Sequence, residues 1–228
     1  MTFPAIDSTA VRWSVPREKV ASALAERPLL LMMHGYGSNE GDLFSLGQYM
    51  PEEFVIASLR APLSAGPGFA WFQIDYDAEN ATLRRDVNEV TRSTHQLISW
   101  IDELEDEVGG FQDVALLGFS QGGVMLTQLF RHQPERYSAG VFLASFAVDD
   151  TTAGGLERDA ALAEVKPPIF WGRDPQDPVI TPDLIDFTRR WLPAHFDVDA
   201  QLYAHVGHGL SLEEIEDATA FLRKHVGL

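Results

Sequence analysis

The sequence predicts an α/β fold, with a mostly parallel central sheet and helices on both of its faces. Short apolar segments bounded by glycine, proline or charged residues recur along the chain, as is typical of strands buried on both faces. Longer segments with helical periodicity separate them. Because strands that alternate with helices form parallel sheets, and no linker divides the chain, we expect a single domain spanning residues 1–228.

Seven segments are predicted as strands. The first, residues 10–15, alternates apolar and polar side chains, as a half-buried edge strand does. The other six are apolar or β-branched runs, at residues 29–33, 54–59, 114–118, 140–144, 169–171 and 198–203.

Four segments are predicted as helices. The clearest spans residues 84–108, where apolar side chains recur every three or four positions on one face. The others span residues 121–132, 182–192 and 212–226. Ser211 and Glu214 have the spacing of a capping box that starts the last helix.

The composition excludes several classes of protein. With 45% hydrophobic and 11% aromatic residues, the chain can form a core and is not intrinsically disordered. The net charge of −17 predicts no binding to nucleic acid and no stable association with an anionic membrane surface. The chain has no cysteine, which excludes disulfides and thiolate nucleophiles. Since neither a signal-peptide pattern nor a long apolar run is visible, we expect a cytoplasmic protein.

A candidate nucleophile follows the strand predicted at residues 114–118. Residues 118–122 read Gly-Phe-Ser-Gln-Gly and lead into a predicted helix, which is the strand–turn–helix context of the G-x-S-x-G nucleophile elbow. A serine on such a turn projects its hydroxyl from the sheet edge, and the flanking glycines avoid Cβ clashes. The N-terminus of the following helix favours negative charge nearby. Ser120 is therefore the candidate nucleophile.

A serine hydroxyl needs a histidine to take its proton and an acid to orient that histidine. In α/β hydrolases the three occur in the chain order serine, acid, histidine. The loop after the sixth predicted strand offers Asp174 and Asp177, and the loop after the seventh offers His205 and His208. We favour Asp177, because Asp174 opens the turn and is suited to organise it through Asx-type hydrogen bonds. We favour His208, because glycines on both sides give it a flexible loop.

Two backbone N–H groups, those of Tyr36 and Gln121, are the candidates for an oxyanion hole. Gln121 directly follows the nucleophile. Tyr36 lies between two glycines in the loop after the second predicted strand, so its N–H can turn toward the site. His34 precedes the serine and breaks the chain order, so we expect it to shape this loop by hydrogen bonding.

Two further pairs of side chains are candidates for substrate or metal binding. Trp71 and Phe72 lie in a glycine- and proline-rich segment and are candidate walls of a substrate-binding acyl pocket, although an aromatic pair is equally typical of a core. His205 and His208 have a spacing found in zinc sites, but no nearby carboxylate or thiolate completes the ligand set. We expect neither a metal nor another cofactor.

The motifs resemble those of the phospholipase/carboxylesterase family, which includes the acyl-protein thioesterases. The matching stretches cover most of the chain, at residues 34–37, 60–62, 70–72, 118–123, 177–180 and 207–208. The resemblance implies an α/β-hydrolase fold without a large cap domain, and a serine esterase of carboxylic esters or, in some members, thioesters. It assigns the catalytic triad to Ser120, Asp177 and His208. It assigns the oxyanion hole to Tyr36 and Gln121.

The expected substrate follows from departures from the thioesterase branch and from the size of the lid. The turn at 173–176 is longer than in that branch, and Gln73 follows the aromatic residue where the branch tends to have an aspartate. The segment 146–166, where caps usually enter, has only 21 residues. We therefore expect a carboxylesterase that takes small-molecule esters of short or medium acyl chains. The sequence leaves open whether it is a monomer or a homodimer. The alternatives are a thioesterase or lysophospholipase with the same triad, and an inactive hydrolase-fold binding module.

Overall fold

The computed structural model describes residues 3–77 and 82–228. Its strands are β1 (Arg12–Trp13), β2 (Leu29–Met33), β3 (Val55–Leu59), β4 (Leu63–Ala65), β5 (Gly68–Ala70), β6 (Asp75–Asp77), β7 (Thr82–Arg84), β8 (Val114–Phe119), β9 (Ala139–Leu143), β10 (Pro168–Arg173) and β11 (Asp197–Leu202). Its α-helices are α1 (Val20–Leu24), α2 (Glu40–Phe44), α3 (Val87–Val108), α4 (Gln121–His132), α5 (Gly155–Val165), α6 (Pro182–His195) and α7 (Leu212–His225).

A seven-stranded sheet in the order β1-β3-β2-β8-β9-β10-β11 forms the centre of the molecule. β1 pairs antiparallel with β3 at one edge, and the other neighbouring pairs are parallel. The predicted mostly parallel sheet is confirmed, and each of the seven predicted strand segments overlaps one of its strands. The hairpins β4–β5 and β6–β7 were not predicted, since strands of three residues are too short to show a period.

The core lies on both faces of this sheet, because successive strand residues point to opposite sides. In β2, Leu29, Leu31 and Met33 pack in the cluster that contains residues of α1, α3, α4, α5 and α6. Leu30 and Met32 pack in the other cluster, with residues of α2 and α7. Helices therefore cover both faces, as predicted.

The helix bounds differ from the prediction at three ends. The smallest difference is in α7, which ends at His225, one residue before the predicted end. α4 has the predicted bounds. α3 begins three residues later than predicted, because the Asp86 carboxylate caps it by accepting from the Asn88 N–H at 2.9 Å. α6 continues through Pro193 to His195, three residues past the predicted end.

The predicted capping box of α7 is formed only in part. Ser211 Oγ accepts from the Glu214 N–H at 3.1 Å, as expected for the first half. The Glu214 carboxylate does not reach back to the cap. It is buried, and neither oxygen has a hydrogen-bond partner in the part of the chain that the structure describes.

The segment between β9 and β10 holds a loop and the helix α5, which packs against α4 and α6. This agrees with the expectation of no large cap domain. Within residues 3–77 and 82–228, no helix is both long enough and apolar enough to cross a membrane.

The strand register brings four loops to one edge of the sheet. Met33 at the end of β2 pairs with Gly118 in β8, and Arg173 at the end of β10 pairs with Leu202 in β11. The loops that follow β2, β8, β10 and β11 therefore lie along the carboxyl edge, where parallel sheets bind ligands.

Candidate active site

Ser120 lies on the sharp turn between β8 and α4. Its backbone has φ 51° and ψ −117°, a conformation that residues with a side chain rarely adopt. Hydrogen bonds hold it there, because the Ser120 N–H donates to the Leu143 carbonyl at 3.0 Å and Ser145 Oγ donates to the Ser120 carbonyl at 2.6 Å. The serine side chain is thereby fixed at the carboxyl edge of a central strand.

Two glycines of this turn are required by close packing. A Cβ on Gly118 would overlap the carbonyl of Gly122, and a Cβ on Gly122 would overlap the carbonyl of Met33. The first turn of α4 therefore lies directly against β8 and the end of β2.

A continuous chain of hydrogen bonds joins Ser120, His208 and Asp177. His208 Nε2 is 3.0 Å from Ser120 Oγ, and His208 Nδ1 is 2.7 Å from Asp177 Oδ2. Because the carboxylate can only accept, Nδ1 carries the ring proton, and Nε2 of the neutral ring accepts from the serine hydroxyl. The structure thus brings together the three residues predicted as the triad, in the order needed to activate a serine.

The turn after β10 fixes the orientation of the Asp177 carboxylate. Its Oδ1 accepts from the N–H groups of Val179 at 2.8 Å and Ile180 at 3.2 Å, which leaves Oδ2 for the histidine. The Asp177 side chain is only 3% exposed. The ring of Phe119 packs beside the imidazole of His208, with the ring centroids 5.1 Å apart.

The residues that the sequence analysis weighed as alternatives lie outside this chain of hydrogen bonds. Asp174 Oδ1 accepts from the Gln176 N–H at 2.7 Å, the Asx-type contact expected of a turn residue. This bond and further backbone N–H bonds hold the pKa of Asp174 below its usual range. His205 is exposed, with a left-handed backbone at φ 68°.

The predicted oxyanion donors, Tyr36 and Gln121, line the same cleft as Ser120. Neither backbone N–H meets a protein acceptor among residues 3–77 and 82–228. Both groups are therefore available to a ligand, and the N-terminus of α4 adds positive potential at Gln121.

His34 shapes the loop that carries Tyr36. The His34 side chain is fully buried, its Nδ1–H donates to the Gly35 carbonyl at 2.7 Å, and its Nε2 accepts from the Ala61 N–H at 3.1 Å. Burial lowers the pKa of this imidazole, which keeps it in the neutral form that both bonds require. The structural role expected from the sequence is the one observed.

Strand β5 supports the same loop from the other side. The Gly37 N–H donates to the Phe69 carbonyl, and the Phe69 N–H donates to the Ser38 carbonyl, each at 2.8 Å. This support could not be predicted from the sequence, because backbone pairing between distant segments leaves no side-chain signal.

Trp71 and Phe72 do not line the cleft, contrary to the substrate-binding role expected for them. Both side chains are fully buried in the core. Trp71 Nε1 donates to the His34 carbonyl at 2.8 Å, and the Gln121 side chain bonds to the backbone of both aromatic residues. Through its bond to the His34 carbonyl, Trp71 supports the loop that carries Tyr36 from the side of the core.

The cleft at Ser120 has a volume of about 420 Å³ and mostly apolar walls. The sequence analysis missed the side chains that form these walls, namely Ile74, Phe146, Val179, Ile180 and Leu184. Two of them could have been placed at the cleft from the sequence, because Val179 and Ile180 directly follow the turn that carries Asp177.

The charge of the cleft is low. Asp42 is the one carboxylate among its described lining residues, which include no lysine or arginine, and Ser38 Oγ donates to Asp42 at 2.7 Å. A larger open groove of about 740 Å³ lies between α3, the loop that follows α4, and α5, but its described walls contain no serine or histidine. We therefore place the candidate site in the smaller cleft.

A family model described as phospholipase/carboxylesterase matches residues 17–226. The chain belongs to the phospholipase/carboxylesterase family. Among curated members, acyl-protein thioesterase 1 of Kluyveromyces lactis is 28% identical over 225 residues, covering 92% of this chain and 97% of the relative. A probable carboxylesterase of Oryza sativa subsp. japonica is 24% identical over 224 residues, covering 93% and 83%.

Solved structures support the family's fold for this chain. A carboxylesterase from Mesorhizobium loti superposes on this chain with a TM-score of 0.74 at 16% identity. The superposition covers 96% of the chain described here and 98% of the Mesorhizobium loti chain. The predicted α/β-hydrolase fold is thereby confirmed.

Proposed function

We propose that this protein is a carboxylesterase that hydrolyses esters of short to medium acyl chains through an acyl-enzyme on Ser120. The observation that supports this most is the hydrogen-bond chain from Asp177 through His208 to Ser120 at an apolar cleft. Membership of the phospholipase/carboxylesterase family supports the same class of reaction.

The reaction follows from the protonation states of the three side chains. Ser120 Oγ attacks the ester carbonyl carbon while His208 Nε2 takes the hydroxyl proton. The tetrahedral intermediate collapses, and His208 returns the proton to the leaving alcohol. Asp177 stabilises the imidazolium between these steps. A water, deprotonated by the same nitrogen, then attacks the acyl carbonyl carbon. As the bond to Ser120 Oγ breaks, His208 returns this proton to Oγ, the carboxylic acid leaves and the free enzyme is restored.

The N–H groups of Tyr36 and Gln121 would receive the negative charge that develops on the carbonyl oxygen. Because these donors are fixed by the surrounding loop, they need little reorganisation when the charge appears. Each donor is worth about 3 kcal/mol of the activation barrier by analogy with other oxyanion holes.

The cleft supports the choice of substrate. Its volume of about 420 Å³ is in the range of small-molecule sites, and its aliphatic walls suit an acyl chain. Because Asp42 is its one described acidic lining residue and no described lysine or arginine faces it, a neutral leaving group is favoured over an anionic one.

An organophosphonate that mimics the tetrahedral intermediate tests the nucleophile. We expect one phosphonate adduct per chain, located on Ser120 by mass spectrometry, and none on the Ser120→Ala variant. An adduct at another residue, or no adduct on the folded wild-type protein, would contradict the proposal.

Thioester hydrolysis is the second candidate, because the relative from Kluyveromyces lactis is named an acyl-protein thioesterase. The two candidates are separated by measuring kcat/KM for a set of matched substrates. Each substrate carries a butyryl, octanoyl or palmitoyl group on an alcohol, thiol or amine leaving group. We expect the highest kcat/KM for butyryl or octanoyl oxygen esters. A higher kcat/KM for the palmitoyl thioester would select the thioesterase instead.

A further inference from the structure

The Asp174 side chain joins two loops that are far apart in the sequence. It is only 2% exposed, and its Oδ1 accepts from the Gln176 N–H at 2.7 Å. Its Oδ2 accepts from the N–H groups of Val206 and Gly207, each at 2.8 Å. One buried carboxylate thus receives three backbone hydrogen bonds from two different loops.

Each of these loops carries a member of the proposed triad. Gln176 directly precedes Asp177, and Gly207 directly precedes His208. The two consecutive N–H groups at 206 and 207 form a small concave anion site around one oxygen, with Gly207 in a left-handed conformation at φ 62°. We call the three hydrogen bonds to the Asp174 carboxylate the clamp. It holds the residue directly before Asp177 and the residue directly before His208, the two side chains that bond to each other in the proposed triad.

We propose that Asp174 is a positioning residue that sets the distance between Asp177 and His208, and through His208 the distance to Ser120. This inference rests on the proposed function of that triad. Asp174 is not among the lining residues of the cleft, so it acts through the two loops and not on the substrate.

The charge of Asp174 is part of this role. Hydrogen bonds from N–H groups to an ionised carboxylate are stronger than those to a neutral acceptor. The same three bonds hold the pKa of Asp174 below its usual range, so the carboxylate stays ionised while the esterase works. An asparagine in its place would offer one oxygen acceptor and turn its NH₂ group toward the N–H donors of one of the loops.

The test compares Asp174→Ala and Asp174→Asn with the wild-type protein in 4-nitrophenyl butyrate hydrolysis. Because a displacement of about 1 Å in an active site can reduce the rate about 100-fold, we expect kcat to fall by about that factor in Asp174→Ala. We expect a fall of about 10-fold in Asp174→Asn, which keeps one half of the clamp, and KM within about threefold of wild type in both.

Asp150→Ala is the matched control. Asp150 is also a buried carboxylate in a turn, in the loop that precedes α5. It accepts from the Thr152 N–H at 3.1 Å and forms an ion pair of 2.6 Å with Arg158 in α5. It touches neither triad loop. We expect a lower melting temperature in this variant and an unchanged kcat at temperatures where it is folded.

A second readout separates positioning from a general effect on folding. A loosened contact between Asp177 and His208 stabilises the imidazolium less, so the acid limb of the kcat/KM profile should move to lower pH in the Asp174 variants. In a purely structural role, the limb would stay in place while the folded fraction fell.

The proposal is overturned if folded Asp174→Ala keeps kcat within threefold of wild type, or if Asp150→Ala loses as much. If Asp174→Ala does not fold, Asp174→Asn decides by the same threefold criterion. Phosphonate labelling of the wild-type Ser120 is measured in parallel. An unlabelled, inactive wild type refutes the proposed function, whereas a labelled wild type with fully active Asp174 variants refutes only this inference.

Discussion

The Gln121 side chain is hydrogen-bonded to the backbone of Trp71, with Gln121 Oε1 accepting from the Trp71 N–H at 2.8 Å. Its Nε2 donates to the Phe72 carbonyl at 2.6 Å, and Trp71 Nε1 in turn donates to the His34 carbonyl in the loop of Tyr36. Gln121, which follows the proposed nucleophile, is thus connected through the backbone and the indole of Trp71 to the other side of the proposed oxyanion hole. This network fixes the relative position of its two N–H donors.

Gln121→Ala tests this network, because the variant keeps the backbone N–H and removes only the carboxamide. The Trp71 N–H and the Phe72 carbonyl would remain buried without partners, at about 1–3 kcal/mol each. We expect the free energy of unfolding in urea to fall by about 2–6 kcal/mol. We also expect kcat to fall about 10-fold, because part of one oxyanion contact, worth 100-fold or more in full, is lost.

Gln128→Ala is the control on the same helix. Gln128 is also buried, but its amide nitrogen has no hydrogen-bond partner in the described ranges of the chain. We expect little change in kcat for this variant. Equal losses of kcat in the two variants would show that the Gln121 carboxamide has no special link to the site.

Asp177→Asn tests the proposed acid. The amide cannot hold the imidazole in the tautomer that accepts the serine proton, and in serine proteases the same change lowers kcat by about 10⁴-fold. We expect a loss of this size in steady-state hydrolysis with little change in KM. Asp183→Asn, at an exposed position in the first turn of α6, should leave kcat unchanged. A loss of less than 10-fold in Asp177→Asn would mean that another group orients His208.

The sequence was sufficient for the parts of the fold and site that depend on local patterns. Continuous apolar runs located the central strands, because a strand buried on both faces needs such a run. Since parallel strands present their carboxyl ends on one edge, the residues after them could be assigned to one site before any distance was known. This reasoning brought Ser120, Asp177 and His208 together, and they are linked by hydrogen bonds of 3.0 and 2.7 Å.

Contacts between distant segments could not be read from the sequence. Whether Trp71 and Phe72 face a cleft or the core depends on how their segment packs, and a local pattern of aromatic residues is the same in both cases. The Gln121 and Asp174 contacts with backbone N–H groups join positions 50, 32 and 33 residues apart. No composition or period marks them, since the partners are main-chain atoms.

Glu214 illustrates how tertiary packing overrides a local motif. The sequence pattern places its carboxylate at the start of α7, but the side chain lies against β10, where a Cβ on Gly172 would overlap Glu214 Oε1. It is fully buried, and burial raises the pKa of this carboxyl from 4.5 to about 7. The folded protein therefore holds a proton that the unfolded chain releases between these two pH values.

The proton on Glu214 makes the free energy of unfolding depend on pH. The variant Glu214→Gln should remove this dependence. Because the folded state binds more protons, the free energy of unfolding falls as pH rises from about 4.5 to about 7, by up to about 3 kcal/mol, and changes no further above that range. Glutamine has a similar shape and no charge. In urea unfolding we expect the variant to match the wild type near pH 4 and to be more stable above pH 7. A difference that is constant across this range would show that Glu214 does not titrate within it.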